Sequence, residues 1–131
     1  MNIKKVVSIF IFQALNNKPI TIHGSGKQTR SFLYISDWVE ASWSFINIKR
    51  PNYRIINIGS SDEITILELA KKIKILTKSH SYIKHIKPRE EDPKRRAADI
   101  RRASKMLKWK PKVKLDEGLK NTIEWFKEVK K

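Results

Sequence analysis

One stretch of sequence places the predicted fold: GSGKQTRSFLYISD, residues 24–37. The apolar run Ile20–Ile22 precedes it and predicts a strand, and Phe32–Ile35 predicts a second strand. Gly24 and Gly26 permit a sharp turn after the first strand, because glycine adopts positive φ without steric cost. The pattern therefore predicts a loop that is held between two strands.

The residues of this loop suit an anionic ligand. Lys27, Gln28 and Arg30 follow the glycines directly. The guanidinium of arginine offers a planar fork of donors that matches phosphate or carboxylate. A surface turn with solvated charges explains the same residues equally well, so both interpretations stay open at this point.

Composition predicts one domain over residues 1–131. The chain has 131 residues, a formal net charge of +16 and no cysteine, which excludes disulfides and cysteine-ligated metals. This fits a reducing compartment, and we expect a cytoplasmic protein without a membrane partner, since no apolar run approaches the roughly 20 residues that span a bilayer. The basic charge could indicate nucleic-acid binding. No DNA- or RNA-binding motif accompanies it, which makes that partner unlikely.

Helical and strand patterns alternate along the chain, which predicts an α/β fold. Asp37 and Glu40 are spaced like a capping box with Asp37 as the N-cap, and Thr65 and Glu68 form a second box. The helix after Asp37 is apolar over most of its girth, as is typical of a helix buried on more than one side. The predicted helices span about 3–15, 38–48, 65–77, 99–107 and 115 onward, and the further strands span 53–59 and 82–87. Apolar residues recur at helical spacing in the first, third and last of these helices, which predicts a buried stripe on each. Asp99 is predicted to cap the fourth helix.

The sequence contains neither a dinucleotide fingerprint nor a catalytic tyrosine–lysine pair. Its four glycines, Gly24, Gly26, Gly59 and Gly118, do not form G-x-G-x-x-G. No tyrosine is followed by lysine four residues later. From the residues alone we therefore predict an anion-binding domain without a catalytic residue, in which loops around Arg30 and around Arg95-Arg96 close on one ligand.

No metal site is predicted. His23, His80 and His85 lack the paired spacing of zinc ligands. The carboxylates of residues 90–92 are better explained as a solvated loop, or as partners of Arg95 and Arg96, than as a general acid–base pair.

Several motifs, taken together, resemble the C-terminal part of the extended short-chain dehydrogenases that modify nucleotide sugars. The family comprises NAD-dependent epimerases, dehydratases and decarboxylases, and the motifs look most like those of the UDP-glucuronate decarboxylases. The resemblance covers essentially the whole chain. The motifs are Val6-Val7-Ser8, Pro19-Ile20-Thr21-Ile22, G-x-G-x-Q-T-R-x-F-x-Y from Gly24, Asn57-Ile58-Gly59, T-I-L-E-L-A from Thr65, E-D-P-x-x-R-x-x-D from Glu91, Trp109-x-Pro111 and L-x-E-G-L from Leu115.

The resemblance implies that this chain holds the UDP-sugar, and that a Rossmann portion carries NAD and the catalytic pair. Arg30 and Arg96 would grip the diphosphate, the strand Ile20–His23 would lie along the uracil, and Tyr34 would lie near the nucleotide-sugar. Residues 38–59 would complete the Rossmann domain, most of which is absent from this sequence. The substrate-binding residues predicted in this way are Ile22, His23, Gln28, Arg30, Tyr34 and Arg96.

Four positions depart from the family pattern. Ile9 stands where an asparagine usually contacts substrate, and His23 stands where tyrosine is common. Ala98 and Lys108 replace a common proline and a common glycine. Ile9 removes a polar contact and weakens the expectation of sugar binding.

Three functions follow as hypotheses. The first is the UDP-sugar-binding portion of a decarboxylase that oxidises the sugar at C4 with NAD, releases CO2 and reduces the intermediate, or of a related epimerase or dehydratase. NAD would bind in the complete enzyme and not to this chain alone, which we expect to be inactive. The second is a non-catalytic remnant that pairs with a separate Rossmann chain, and the third is a basic nucleic-acid-binding module.

Overall fold

The computed structural model describes residues 5–48 and 55–129, and its elements alternate between helix and strand as predicted. The α/β class is confirmed. Within these ranges, no helix is long and apolar enough to cross a membrane. In chain order the elements are α1 Val6–Leu15, β1 Ile20–His23, β2 Thr29–Ser31, α2 Ile35–Ile46, β3 Glu63–Thr65, α3 Ile66–Leu76, β4 Ile83–Ile86, β5 Arg95–Arg96, α4 Arg101–Leu107 and α5 Leu115–Val129.

Two small sheets carry the strands. β1 and β4 pair in parallel, with Ile20 opposite Ile83 and His23 opposite Ile86. The second sheet has the order β3-β2-β5, in which β2 is antiparallel to β3 and parallel to β5. The parallel register places Arg30 beside Arg96.

The main core forms where α1, α3 and α5 meet β1. The predicted apolar stripes of all three helices are confirmed, since each supplies buried side chains at helical spacing. The core residues are Phe10, Ile11, Ala14, Ile20, Ile22, Ile66, Leu69, Ala70, Ile73, Leu119, Ile123 and Phe126.

The predicted capping box begins α3. Thr65 Oγ1 accepts a hydrogen bond from the Glu68 amide at 3.1 Å, and Glu68 Oε2 accepts one from the Thr65 amide at 3.0 Å. These bonds satisfy two donors that a helix N-terminus leaves unpaired. The Thr65 hydroxyl also donates to Glu68 Oε2 at 2.7 Å, and this bond, followed by the one from the Thr65 amide, holds the pKa of Glu68 below its ordinary value.

A smaller cluster joins α2 to α4 and the segment after it. Ala41, Ala103 and Trp109 are buried there, with Ile56, Ile58 and other apolar side chains partly covering them. The prediction that Asp99 caps α4 is wrong, because Ile100 is the N-cap residue. Asp99 lies one residue earlier, and its Oδ1 accepts from the Arg101 amide at 3.0 Å. The Arg101 side chain also hydrogen-bonds Asp99 and lowers its pKa from 3.8 to about 2.

The predicted start of α2 is wrong. The strand is β2 at Thr29–Ser31 and not Phe32–Ile35, and the helix begins at Ile35 with Tyr34 as its N-cap. Asp37 is buried inside the first turn, and its Oδ2 accepts from the backbone amides of Lys112 and Val113 at 3.0 and 2.9 Å. The Asp37 carboxylate, which local spacing predicts to cap α2, therefore binds backbone amides more than 70 residues away.

The predicted strand 53–59 is not seen where the structure describes it. Residues 53 and 54 lie outside the described ranges, and 55–59 have no strand conformation. A strand needs a neighbouring backbone to pair with, and instead the Ile55 carbonyl accepts a hydrogen bond from Arg102 Nη1 at 3.1 Å.

The predicted two-sided burial of α2 is also not seen within the described ranges. Trp38 is 48% exposed, Trp43 69% and Ile46 74%. The helix is amphipathic, but it buries only Asp37 and Ala41.

Candidate anion-binding site

The predicted glycine turn follows β1. Gly24 and Gly26 have φ of 67° and 74°, a conformation that favours glycine. A Cβ at Gly26 would lie 3.0 Å from Ile22 Cγ2 and 3.1 Å from Leu67 Cβ. The turn is thus packed onto the core, and it fixes where β2 begins.

A cavity of about 340 Å³ opens beside this turn. It lies between the first turns of α1, the β1–β2 connection and the 89–96 segment. Four of the six predicted substrate-binding residues meet there, as expected for two basic loops that close on one space. The lining residues are Lys5, Val6, Ile9, Phe10, Thr21, His23, Gln28, Arg30, Ser31, Phe32, Ile66, Arg89, Asp92 and Arg96.

Arg30 is anchored rather than free. Its side chain is 13% exposed and forms an ion pair with Asp92. Nη1 donates to the carbonyls of Thr29 and Pro93 at 2.6 and 2.8 Å. Gln28 Nε2 donates to Asp92 Oδ2 at 3.1 Å. Arg30 and Gln28 therefore hold the 89–96 segment in place, and Asp92 offsets part of the charge of Arg30.

The predicted pairing of the acidic run with Arg95 and Arg96 is therefore wrong for Asp92. Arg95 instead pairs with Glu63 on β3 at 2.5 Å, across the sheet. The hydrogen bonds from Arg95 and then Thr29 hold the pKa of Glu63 below its ordinary value. Each carboxylate thus pairs with the arginine that the strand arrangement places beside it, and not with the arginine nearest in sequence.

Three cavity-lining cations have no carboxylate within ion-pair distance among residues 5–48 and 55–129: Lys5, Arg89 and Arg96. With Arg30 they make four cations against the one carboxylate of Asp92. The cavity therefore carries a net positive charge. Lys5 and Arg89 were not predicted, because nothing in their local sequence separates them from the many other basic residues.

Two predicted residues lie elsewhere. The Ile22 side chain is fully buried in the main core. Tyr34 lies against α5, since a Cβ at Gly118 would be 3.1 Å from Tyr34 Cδ2. Neither side chain lines the cavity.

The glycine turn after β1 does not have the geometry of a dinucleotide cradle. Gly24 and Gly26 serve a turn between two strands, and a Cβ at Gly24 would meet Pro88 at 3.5 Å rather than open space. This is not the strand–glycine loop–helix arrangement that cradles a dinucleotide. Likewise, no cluster of three metal-ligating side chains exists in the part of the chain that the structure describes.

Comparison with known proteins decides the family. The model of the family described as GDP-mannose 4,6 dehydratase matches residues 2–122. The chain belongs to this family. Its curated relatives include UDP-glucuronic acid decarboxylase 1 of Danio rerio, 46% identical over 128 residues that make up 96% of this chain and 30% of the relative. UDP-N-acetyl-alpha-D-glucosaminuronate decarboxylase of Bacillus cytotoxicus is 41% identical, over 95% of this chain and 40% of the relative.

Solved structures agree in fold. UDP-glucose 4-epimerase of Thermotoga maritima, solved with UDP-glucose, has a TM-score of 0.90 and 31% identity over 97% of this chain and 40% of its own. UDP-glucuronic acid 4-epimerase of Bacillus cereus, solved with UDP-glucuronic acid and NAD, has a TM-score of 0.90 and 30% identity over 96% and 40%. The chain spans 30 to 40% of the length of these relatives. It corresponds to the C-terminal portion of an extended short-chain dehydrogenase.

Proposed function

We propose that this chain forms the UDP-sugar-binding portion of an NAD-dependent nucleotide-sugar decarboxylase, or of a related epimerase or dehydratase. The observation that carries the proposal is the cavity of about 340 Å³. It is lined by the Arg30–Asp92 pair and by three cations that have no carboxylate partner within residues 5–48 and 55–129. The named relatives support a UDP-sugar as the ligand, and the decarboxylases among them support decarboxylation as the reaction.

The arginines of the cavity have two different roles, ligand binding and anchoring of the 89–96 segment. Arg89 and Arg96 have no described carboxylate partner, so their guanidinium groups are available to the diphosphate. Arg30 acts chiefly as the anchor of the 89–96 segment, because its donors already face Asp92, Thr29 and Pro93. The prediction that Arg30 grips the diphosphate directly becomes secondary to this role.

The complete reaction requires bound NAD and a catalytic tyrosine–lysine pair. This sequence contains neither a dinucleotide fingerprint nor that pair. We therefore expect the isolated 131-residue chain to bind UDP and not to convert UDP-glucuronate. Release of CO2 from UDP-glucuronate by this chain alone would contradict that expectation.

A second proposal is that α2 docks on a dinucleotide-binding portion, either in the same polypeptide or in a separate chain. Its outer face exposes the apolar side chains of Ile35, Trp38, Val39, Trp43 and Ile46. The relatives have more than half of their length beyond the part that this chain matches, which supports a further portion as the partner. An exposed apolar face of this kind usually marks an interface.

Calorimetric titration with UDP and with UDP-glucuronate tests the first proposal. Arg96→Ala and Arg89→Ala should each weaken UDP binding about 10- to 100-fold, the effect of losing a charge-assisted hydrogen bond. Arg101→Ala is the matched control, since Arg101 pairs with Asp99 outside the cavity. It should bind UDP like the wild type.

Two outcomes would overturn this proposal. One is a folded chain that binds neither ligand. The other is equal competition by unrelated nucleic acid, with affinity that falls steeply between low and moderate salt, as expected of a nucleic-acid-binding module.

A further inference from the structure

Two histidines cross-link the two loops that build the cavity. His23 Nδ1 lies 2.9 Å from the Lys87 carbonyl oxygen, and His85 Nδ1 lies 2.8 Å from the Gly24 carbonyl oxygen. Between them the Gly24 amide donates to the Ile86 carbonyl at 2.9 Å. The His23 ring on β1 therefore contacts the backbone that follows β4, and the His85 ring on β4 contacts the backbone that follows β1.

The acceptors fix the chemistry of both rings. A carbonyl oxygen only accepts hydrogen bonds, so each Nδ1 must carry a hydrogen. When such a ring is neutral, Nε2 is its lone-pair nitrogen. In that form the Nε2 of His23, which lines the cavity, can accept from a hydroxyl or N–H of a ligand.

The location of these bonds relates them to ligand binding. The β1–β2 connection carries Gln28 and leads into Arg30 on β2, and the connection after β4 carries Arg89 and leads into Arg96 on β5. Further along, the Thr29 amide donates to the Lys94 carbonyl at 2.9 Å. The histidine bonds join the two connections just after β1 and β4. The Thr29–Lys94 bond joins them again where β2 meets β5.

We propose that His23 and His85 are positioning residues of the anion site, which hold the two cationic loops at a fixed separation through Nδ1–H bonds to the Lys87 and Gly24 carbonyls. The inference rests on the proposed function for its ligand. His85 is the more informative of the two, because it is not among the residues that line the cavity and so acts on the ligand only through Gly24.

Substitutions at His85 separate positioning from general structure. In His85→Asn the side-chain amide places a donor at the same number of bonds from Cβ as Nδ1, so the bond to Gly24 is kept. His85→Leu removes the donor. His80→Leu is the matched control, since His80 is exposed and no described hydrogen bond engages its ring.

We expect His85→Leu to weaken UDP binding about threefold to tenfold, the range for one net hydrogen bond. His85→Asn and His80→Leu should remain within about twofold of wild type by the same measure. Nitrogen-15 NMR of the wild-type chain should show the Nδ1–H tautomer for both rings, and hydrogen exchange at the Gly24 amide should accelerate in His85→Leu alone.

An Nε2–H tautomer at either ring would overturn the proposal, as would a His85→Leu chain that matches His80→Leu in UDP affinity. If the wild type binds no UDP, the proposed function fails, and the tautomers and the Gly24 exchange rate still decide whether the histidines hold the loops. Unchanged exchange in His85→Leu would then refute the positioning role.

Discussion

The core around α1, α3 and α5 and the cluster around α2 and α4 differ in how completely they cover their apolar surface. Among the residues that the structure describes, the first buries twelve apolar side chains from helices and strands, whereas the second buries those of Ala41, Ala103 and Trp109. In the second, the outer face of α2 leaves Trp43 and Ile46 more than two-thirds exposed.

The two regions should contribute to different properties, the main core to stability and α2 to association. A helix whose apolar stripe is covered contributes to folding in proportion to the area that it removes from water. The stripe of α3 is covered within the described residues, whereas the outer face of α2 is not. The main core should therefore determine the free energy of unfolding, and α2 should determine what the chain binds.

The largest expected effect is in the main core. Leu69→Ala empties a fully buried position on α3 and should lower the free energy of unfolding by about 2–5 kcal/mol. Ile75→Ala on the same helix, where the side chain is 73% exposed, should change it by less than about 0.5 kcal/mol. Urea unfolding measures both. Similar losses for the two variants would show that this core does not dominate stability.

The sequence predicted the elements whose signals are local. The stripes of α1, α3 and α5 and the Thr65–Glu68 box depend on residues within one or two turns, and all are confirmed. The convergence of Arg30 and Arg96 was expected from two basic loops, and the β2–β5 register provides it.

Contacts between distant residues could not be predicted in this way. Asp92 pairs with Arg30 across 62 residues, and Asp37 bonds amides 75 and 76 residues away. Local spacing assigned the first to the neighbouring arginines and the second to a helix cap. In both cases the contact with the distant partner is favoured over the local contact, because it satisfies a polar group that is buried or partly buried.

An intermediate effect is expected where the second cluster is tied together. Asp37→Ala leaves the Lys112 and Val113 amides without their acceptor and should cost about 1.5–3 kcal/mol, as for a hydrogen bond to a charged group. Glu40→Gln, three residues along, breaks only an exposed ion pair to Lys112 and should cost less than about 1 kcal/mol. Thermal unfolding distinguishes them. If Glu40→Gln were the costlier change, surface charge rather than the buried carboxylate would hold α2 to this segment.

The smallest effect on stability, and the largest on association, is expected on the outer face of α2. Trp43→Gln should change the free energy of unfolding by less than about 0.5 kcal/mol, because the side chain is 69% exposed. It should also reduce self-association at high concentration, followed by sedimentation, and binding to the part of the Danio rerio relative that this chain does not match. Trp125→Gln on α5 is the matched control, since Trp125 is 51% exposed but packs edge-on against Phe126. A loss of stability in Trp43→Gln, or an equal loss of association in Trp125→Gln, would mean that α2 is not the docking face.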